Sequence, residues 1–97
     1  MDLYDIYEKL FPDMPEDEFY KLPSPRDILY AYDSDNPPFP VVDYWGESKR
    51  NVVIKVQDTL VHLSAGYDGE WGLDDNYNVE IVEAVRVQRT VIEYRSK

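Results

Sequence analysis

Nucleophilic, general-base and metal chemistry each need particular side chains, and this chain is short of most of them. It has no cysteine and a single histidine, His62. Thiolate nucleophiles, thiolate metal sites and disulfides are therefore excluded. A zinc centre or a histidine base would lean on His62, with no second histidine to join it. Ser64 follows two residues later on the same face of a predicted strand, which makes it a neighbour of His62 rather than a triad partner. Nothing in the spacing ties Ser24, Ser34 or Ser48 to the imidazole. No G-x-x-x-x-G-K-[ST] or G-x-G-x-x-G pattern occurs, so no phosphate cradle is expected.

Carboxylates are the abundant reactive groups. The stretch GYDGEWGLDDNYN, residues 66–78, holds Asp68, Glu70, Asp74 and Asp75 with three glycines, two tyrosines and Trp71. A helix–loop–helix calcium loop needs oxygen ligands at positions 1, 3, 5 and 12 and glycine at 6. Counted from Asp68, position 6 is Leu73 and position 12 is Val79; counted from Asp74, they are Val79 and Val85. Both registers fail at the turn and at the bidentate ligand, so the stretch reads as a polar connection between two strands. Gly66, Gly69 and Gly72 serve its turning, and Tyr67 and Trp71 have apolar bodies that can fold over a sheet edge. No carboxylate pair stands out as a glycosidase acid and nucleophile. Neither a metal nor a cofactor is expected.

The charge balance points outward, to partners. Twenty acidic against ten basic residues repel nucleic acid and anionic lipid and suit a basic surface. The acidity is concentrated: residues 1–48 hold twelve acids and three bases, while residues 49–97 hold eight acids and seven bases. The expected partner-binding residues are Asp13, Glu16, Asp17, Glu18, Asp33, Asp35, Asp43 and Glu47, with Tyr20, Tyr32 and Tyr44 as apolar anchors. Asp68, Glu70, Trp71, Asp74 and Asp75 extend the same set. Carboxylates capture arginine and lysine by charge-assisted hydrogen bonds, and exposed aromatic rings supply the anchors. The basic residues Lys49, Arg50, Arg86, Arg89, Arg95 and Lys97 are diluted by acids and read as solubilising edge residues.

These side chains must be carried by an α+β framework. Leu3, Ile6, Tyr7 and Leu10 recur at helical spacing, with Asp2 as N-cap, Asp5 in the first turn and Pro12 as the stop. DMPEDEFYKL offers a second turn or two of helix. Ser24, Pro25 and Asp27 spell the start of a third helix, with Ile28, Leu29 and Tyr32 as its apolar stripe. Pro37 and Pro38 end it. From Pro40 the period changes to two. VVDYWG, NVVIKVQ and TLVHLSAGY are strands, and VEIVEAVRVQRTVIEYR is either one bent strand with a bulge or two strands broken near Glu83–Ala84. Strand signals this close together predict an antiparallel sheet of about four to five strands. The expected organisation is a single domain over 1–97, with a helical acidic segment over 1–36 and the sheet over 40–97. No signal peptide or apolar membrane span is legible, so a cytoplasmic setting is expected.

The stretches VVIKVQDTLVHLSAGYDGEWG and NVEIVEAVRVQRTVIEYR, within residues 52–95, resemble small proteins carried by phages and other mobile elements. The chain as a whole is similar in character to the phage-encoded inhibitors of host defence, which include anti-CRISPR and anti-restriction proteins, several of them imitators of DNA. That group shares no common motif, so the resemblance transfers no active residue. It implies a non-enzymatic viral protein that blocks the basic, nucleic-acid-binding surface of a nuclease complex in a bacterial cytoplasm. The alternatives are a self-associating structural or assembly protein of a virus or mobile element, and a small hydrolase using clustered carboxylates with a divalent cation.

Overall fold

A computed structural model describes residues 3–46, 48–68, 70, 72–86 and 92–97. Helix α1 spans Leu3–Leu10, a 3₁₀ segment spans Glu16–Lys21, and helix α2 spans Pro25–Ala31. Five strands follow: β1 Val41–Trp45, β2 Lys49–Val56, β3 Thr59–Asp68, β4 Gly72–Arg86 and β5 Ile92–Ser96. They form one antiparallel sheet in the order β1-β2-β3-β4-β5, each strand paired with its chain neighbour. The α+β expectation therefore holds, with more of the described chain in strands than in helices.

The start of α2 is the sequence pattern made physical. The Ser24 side chain accepts from the Asp27 amide at 3.2 Å, and the Asp27 carboxylate accepts from the Ser24 amide at 3.0 Å. This reciprocal cap satisfies two amides that the helix cannot pair internally. The hydrogen bond from the Ser24 amide, followed by the interaction with its hydroxyl, holds the Asp27 carboxyl below its ordinary value. The N-cap assigned to Asp2 falls outside the described residues.

Both helices lie on one face of the sheet. Leu3, Ile6 and Tyr7 from α1 and Ile28 and Leu29 from α2 join Val52, Ile54 and Val56 of β2, Val61, Leu63 and Ala65 of β3, and Leu73 and Val79 of β4 in one core. Tyr7 is fully buried, donates its hydroxyl to the Pro23 carbonyl at 3.3 Å, and has its pKa raised by that burial. The second helical side chain to anchor the layer is Tyr30. Its hydroxyl accepts from the Leu73 amide at 3.2 Å, and Gly72 (φ +78°) gives it room, since a Cβ there would sit 2.7 Å from the oxygen.

Two segments differ from the sequence reading. GYDGEWGLDDNYN is not a long connection: β3 runs to Asp68 and β4 starts at Gly72, so residues 69–71 alone join them. Tyr67 pairs Leu73 and Asp68 pairs Gly72 after an irregularity at Gly66, and the ladder thereby extends into residues whose composition is that of a loop. The Val-rich segment is two strands, but the break is not at Glu83–Ala84. Those residues pair Arg95 and Tyr94, and β4 continues to Arg86 because β5 folds back along it.

The hairpin turns carry the backbone constraints. Gly46 has φ +109°, and a Cβ on it would lie 1.9 Å from the Lys49 carbonyl oxygen. Gln57, in the short β2–β3 turn, holds φ 56° without being glycine. Opposite effects are expected in chemical denaturation. Gly46→Ala should lower stability by roughly 1–3 kcal/mol. Gln57→Gly should raise it by up to about 1 kcal/mol, because glycine adopts positive φ without the Cβ penalty.

Candidate functional site

The expected partner-binding residues separate into several places. Asp13 follows α1, Glu16, Asp17, Glu18 and Tyr20 ride on the 3₁₀ segment, and Asp33 and Asp35 follow α2. Asp13, Glu16, Asp17, Asp33 and Asp35 are exposed, and Tyr20 is 77% exposed. Glu18 is half-buried and lies 3.8 Å from Lys21. These residues lie in the helical segment, whose buried apolar side chains pack on the sheet.

Tyr32 and Tyr44 do come together, with ring centroids 4.7 Å apart. They meet beside a cation of the same chain. Arg50 lies over Tyr67 at 4.1 Å and Tyr32 at 5.5 Å, and its guanidinium donates to the Tyr32 hydroxyl. Arg50 is thus a half-buried residue of the second strand, clasped by tyrosines, rather than a solubilising edge charge.

Asp68 and Asp74 share a depression of about 560 Å³ at the hairpin end of the sheet, with Arg26, Tyr67 and Leu73. Arg26 donates to the Tyr77 hydroxyl at 3.1 Å. Glu70 sits in the hairpin, where its amide donates to the Asp68 carboxylate at 2.8 Å. Glu47, Trp71 and the Asp75 side chain lie outside the described residues.

Asp43 parts company with Tyr44. Tyr44 pairs Val52 and shares the helix-covered face, whereas Asp43 pairs Val53 and turns to the opposite one. That opposite face is concave. In a flat five-stranded sheet β1 and β5 would stay about 19 Å apart. Here the Trp45 ring of β1 meets the Tyr94 ring of β5 with centroids 6.0 Å apart and planes 10° apart. The sheet curls into a half-barrel, and its first and last strands exchange a side-chain contact across the opening.

A cleft of about 440 Å³ lies under that contact, lined by Asp43, Trp45, His62, Glu80, Ile92, Glu93 and Tyr94. His62 stacks on Trp45 with centroids 5.4 Å apart and planes 14° apart. Cross-strand register places Asp43, Val53, His62 and Glu80 in one row over β1 to β4. Val53, Ser64 and Val82 are buried on this helix-free side.

The polar groups of the cleft are held in fixed orientations. The Asn51 amide nitrogen donates to the Trp45 carbonyl at 3.4 Å and the Lys49 carbonyl at 3.2 Å. Its oxygen therefore faces His62 Nε2 at 3.1 Å and requires a hydrogen there. His62 Nδ1 lies 3.5 Å from Glu80 Oε1, and the Ser96 hydroxyl donates to Glu80 Oε2. The hydrogen bond from Ser96, followed by the interaction with His62, holds the Glu80 carboxyl below its ordinary value. Removal from water, then the neighbouring Asp43 carboxylate, pushes the Tyr94 hydroxyl pKa up.

Sequence reading found Asp43 and set His62 aside as a polar-face residue; it missed Trp45, Glu80 and Tyr94. The available signal was period-two alternation, which puts Asn51, His62, Ser64 and Glu80 on the face away from the core. Among the described residues no group of three or more His, Asp or Glu side chains is arranged to hold a metal ion, and no helix is long and apolar enough to cross a membrane. No family model, curated protein or solved structure matches the chain.

The Glu80 anchor has a pH signature. Its carboxyl binds a proton less readily in the folded than in the unfolded chain, so its stabilisation is present above the ordinary value of 4.5 and is lost as pH falls through the lower folded value. Urea denaturation between pH 6 and pH 3 is expected to show a steeper loss of stability for the native chain than for Glu80→Gln. Parallel curves would assign the acid sensitivity to other carboxylates.

Proposed function

We propose that this chain is a non-enzymatic binding protein that occupies the basic, nucleic-acid-binding surface of a protein partner. The observation that carries the reading is the division of labour in the helical layer. Its apolar side chains pack on the sheet, while Asp13, Glu16, Asp17, Asp33 and Asp35 stand in solvent with Tyr20. Exposed carboxylates and an exposed tyrosine on the helical segment offer a basic partner both charge-assisted hydrogen bonds and an aromatic anchor. A carboxylate layer of this kind presents negative charge where such a partner would otherwise meet phosphates. In this reading the partner is a host-defence nuclease complex, as for the phage-encoded inhibitors of anti-CRISPR and anti-restriction type, and the setting is the cytoplasm of an infected bacterium.

A self-associating structural protein is the second reading. It is favoured by the sheet order, which leaves β1 and β5 as edge strands with unpaired backbone groups.

The tagged protein, incubated with a bacterial lysate, is expected to retain a basic nucleic-acid-binding protein at low salt and release it at high salt. Screening shortens from about 10 Å at 0.1 M to about 3 Å at 1 M and weakens exposed charge pairs accordingly. Combined Glu16→Gln, Asp17→Asn, Asp33→Asn and Asp35→Asn should cut that retention at least about tenfold. Retention unchanged by these substitutions would sink the reading. Light scattering that shows a defined, concentration-dependent oligomer, with no partner retained, would move the assignment to self-association.

A further inference from the structure

We infer that the concave cleft of the half-barrel is a recognition site for an arginine side chain presented by a protein or peptide. This site lies on the face of the sheet opposite the acidic helical layer, so it stands or falls separately from the function proposed above.

Three features point to a guanidinium. The first is the wall. Trp45 has near-parallel ring neighbours in His62 and Tyr94 and is still 43% exposed. Flat aromatic walls favour flat cations, and tryptophan gives the strongest cation–π attraction of the aromatic side chains. The second is charge. Asp43 and Glu80 lie on the concave face, while Glu93 of the cleft lining is already paired with Arg95 at 3.0 Å. Glu80 is held ionised by Ser96 and His62 yet keeps lone pairs for further donors. Lys55 lies at the far end of β2, and Lys49, which lines the adjoining depression beside His62 and Glu80, is not among the residues that line the cleft itself.

The third feature is a precedent within the same molecule. On the helix-covered face Arg50 lies 4.1 Å over the Tyr67 ring and donates to the hydroxyl of Tyr32. The concave face offers the same elements, a ring surface beside oxygen acceptors, with carboxylates in place of phenols. An ammonium ion would gain less. It is compact and strongly hydrated, whereas guanidinium is weakly hydrated, stacks on rings and presents five donors in a fixed fork. A metal ion has no use for the stacked rings, which occupy much of the wall.

The test is an NMR titration of the isotope-labelled intact chain with acetyl-Gly-Arg-Gly-amide and with its lysine and citrulline counterparts. Saturable shifts of the Trp45 indole N–H and of Tyr94 are expected with the arginine peptide. The lysine peptide should bind several-fold more weakly, and the uncharged citrulline peptide should not saturate. Glu80→Gln should weaken the arginine peptide by about tenfold, the usual scale for loss of one charge-assisted contact. Trp45→Leu should abolish the Tyr94 response, and shift dispersion elsewhere in each variant reports that the fold is intact. Shifts that remain linear with concentration, equal responses to arginine and citrulline, or an unchanged response in Glu80→Gln would each overturn the site. Shifts confined to the amides of residues 16–18 and 33–35 would overturn it too, while leaving the acidic-layer reading standing.

Discussion

Three consecutive residues of β2, Val52, Val53 and Ile54, have no solvent exposure. A strand alternates its side chains between two faces, so three buried neighbours require both faces to be covered. Helices α1 and α2 cover one, over Val52 and Ile54. Neither α1 nor α2 covers the face that carries Val53. The sheet itself has to shield that residue, and it does so by coiling until Trp45 and Tyr94 meet across the opening. The curl, the cleft and the orientation of His62 all follow from this second burial requirement.

The two faces solve their polar problems by different means. On the helical side, hydroxyls do the pairing: Tyr7 to Pro23, Tyr30 to Leu73, Tyr77 to Arg26 and Tyr32 to Arg50. On the inner side a chain of groups runs from the Trp45 carbonyl through Asn51, His62 and Glu80 to Ser96. It crosses from β1 to β5 and ties the side-chain contact between the outer strands to the middle of the sheet. Among the described residues no buried side-chain nitrogen or oxygen lacks a hydrogen-bond partner. Both faces therefore meet the penalty for desolvated polar groups, one with tyrosines on backbone and arginine, the other with a cross-strand relay.

Legibility from the sequence followed the range of the interactions. Ser24, Pro25 and Asp27 announced the start of α2 because a capping box is complete within four residues. The strands were legible because period-two alternation is local as well. The end of β4 was not, since VEIVEAVRVQ has no glycine or proline to mark it and the extent of β4 depends on pairing with Tyr94 and Ile92. Residues 66–78 misled by composition, because glycine, aspartate and asparagine are turn formers wherever pairing does not override them. Of the site residues, Asp33 and Asp35 were legible from the concentration of acids in the first half of the chain, and both are exposed. The company of Trp45, His62 and Tyr94 had no local signature, because it depends on how far five strands coil.

The nearest-neighbour order of the strands also sets a sequence of events in folding. Every backbone ladder joins segments adjacent in the chain, so each hairpin closes a short loop and can form early. The Trp45–Tyr94 stack instead closes a loop as long as the whole sheet segment. Its entropic cost is the larger, and it gains its contacts only once the intervening strands are aligned. Until then Val53 and Val82 face water on an open apolar surface between two unpaired edges. The contact that completes the cleft is thus also the step that takes this apolar surface out of reach of other chains, while the backbone edges of β1 and β5 stay unpaired.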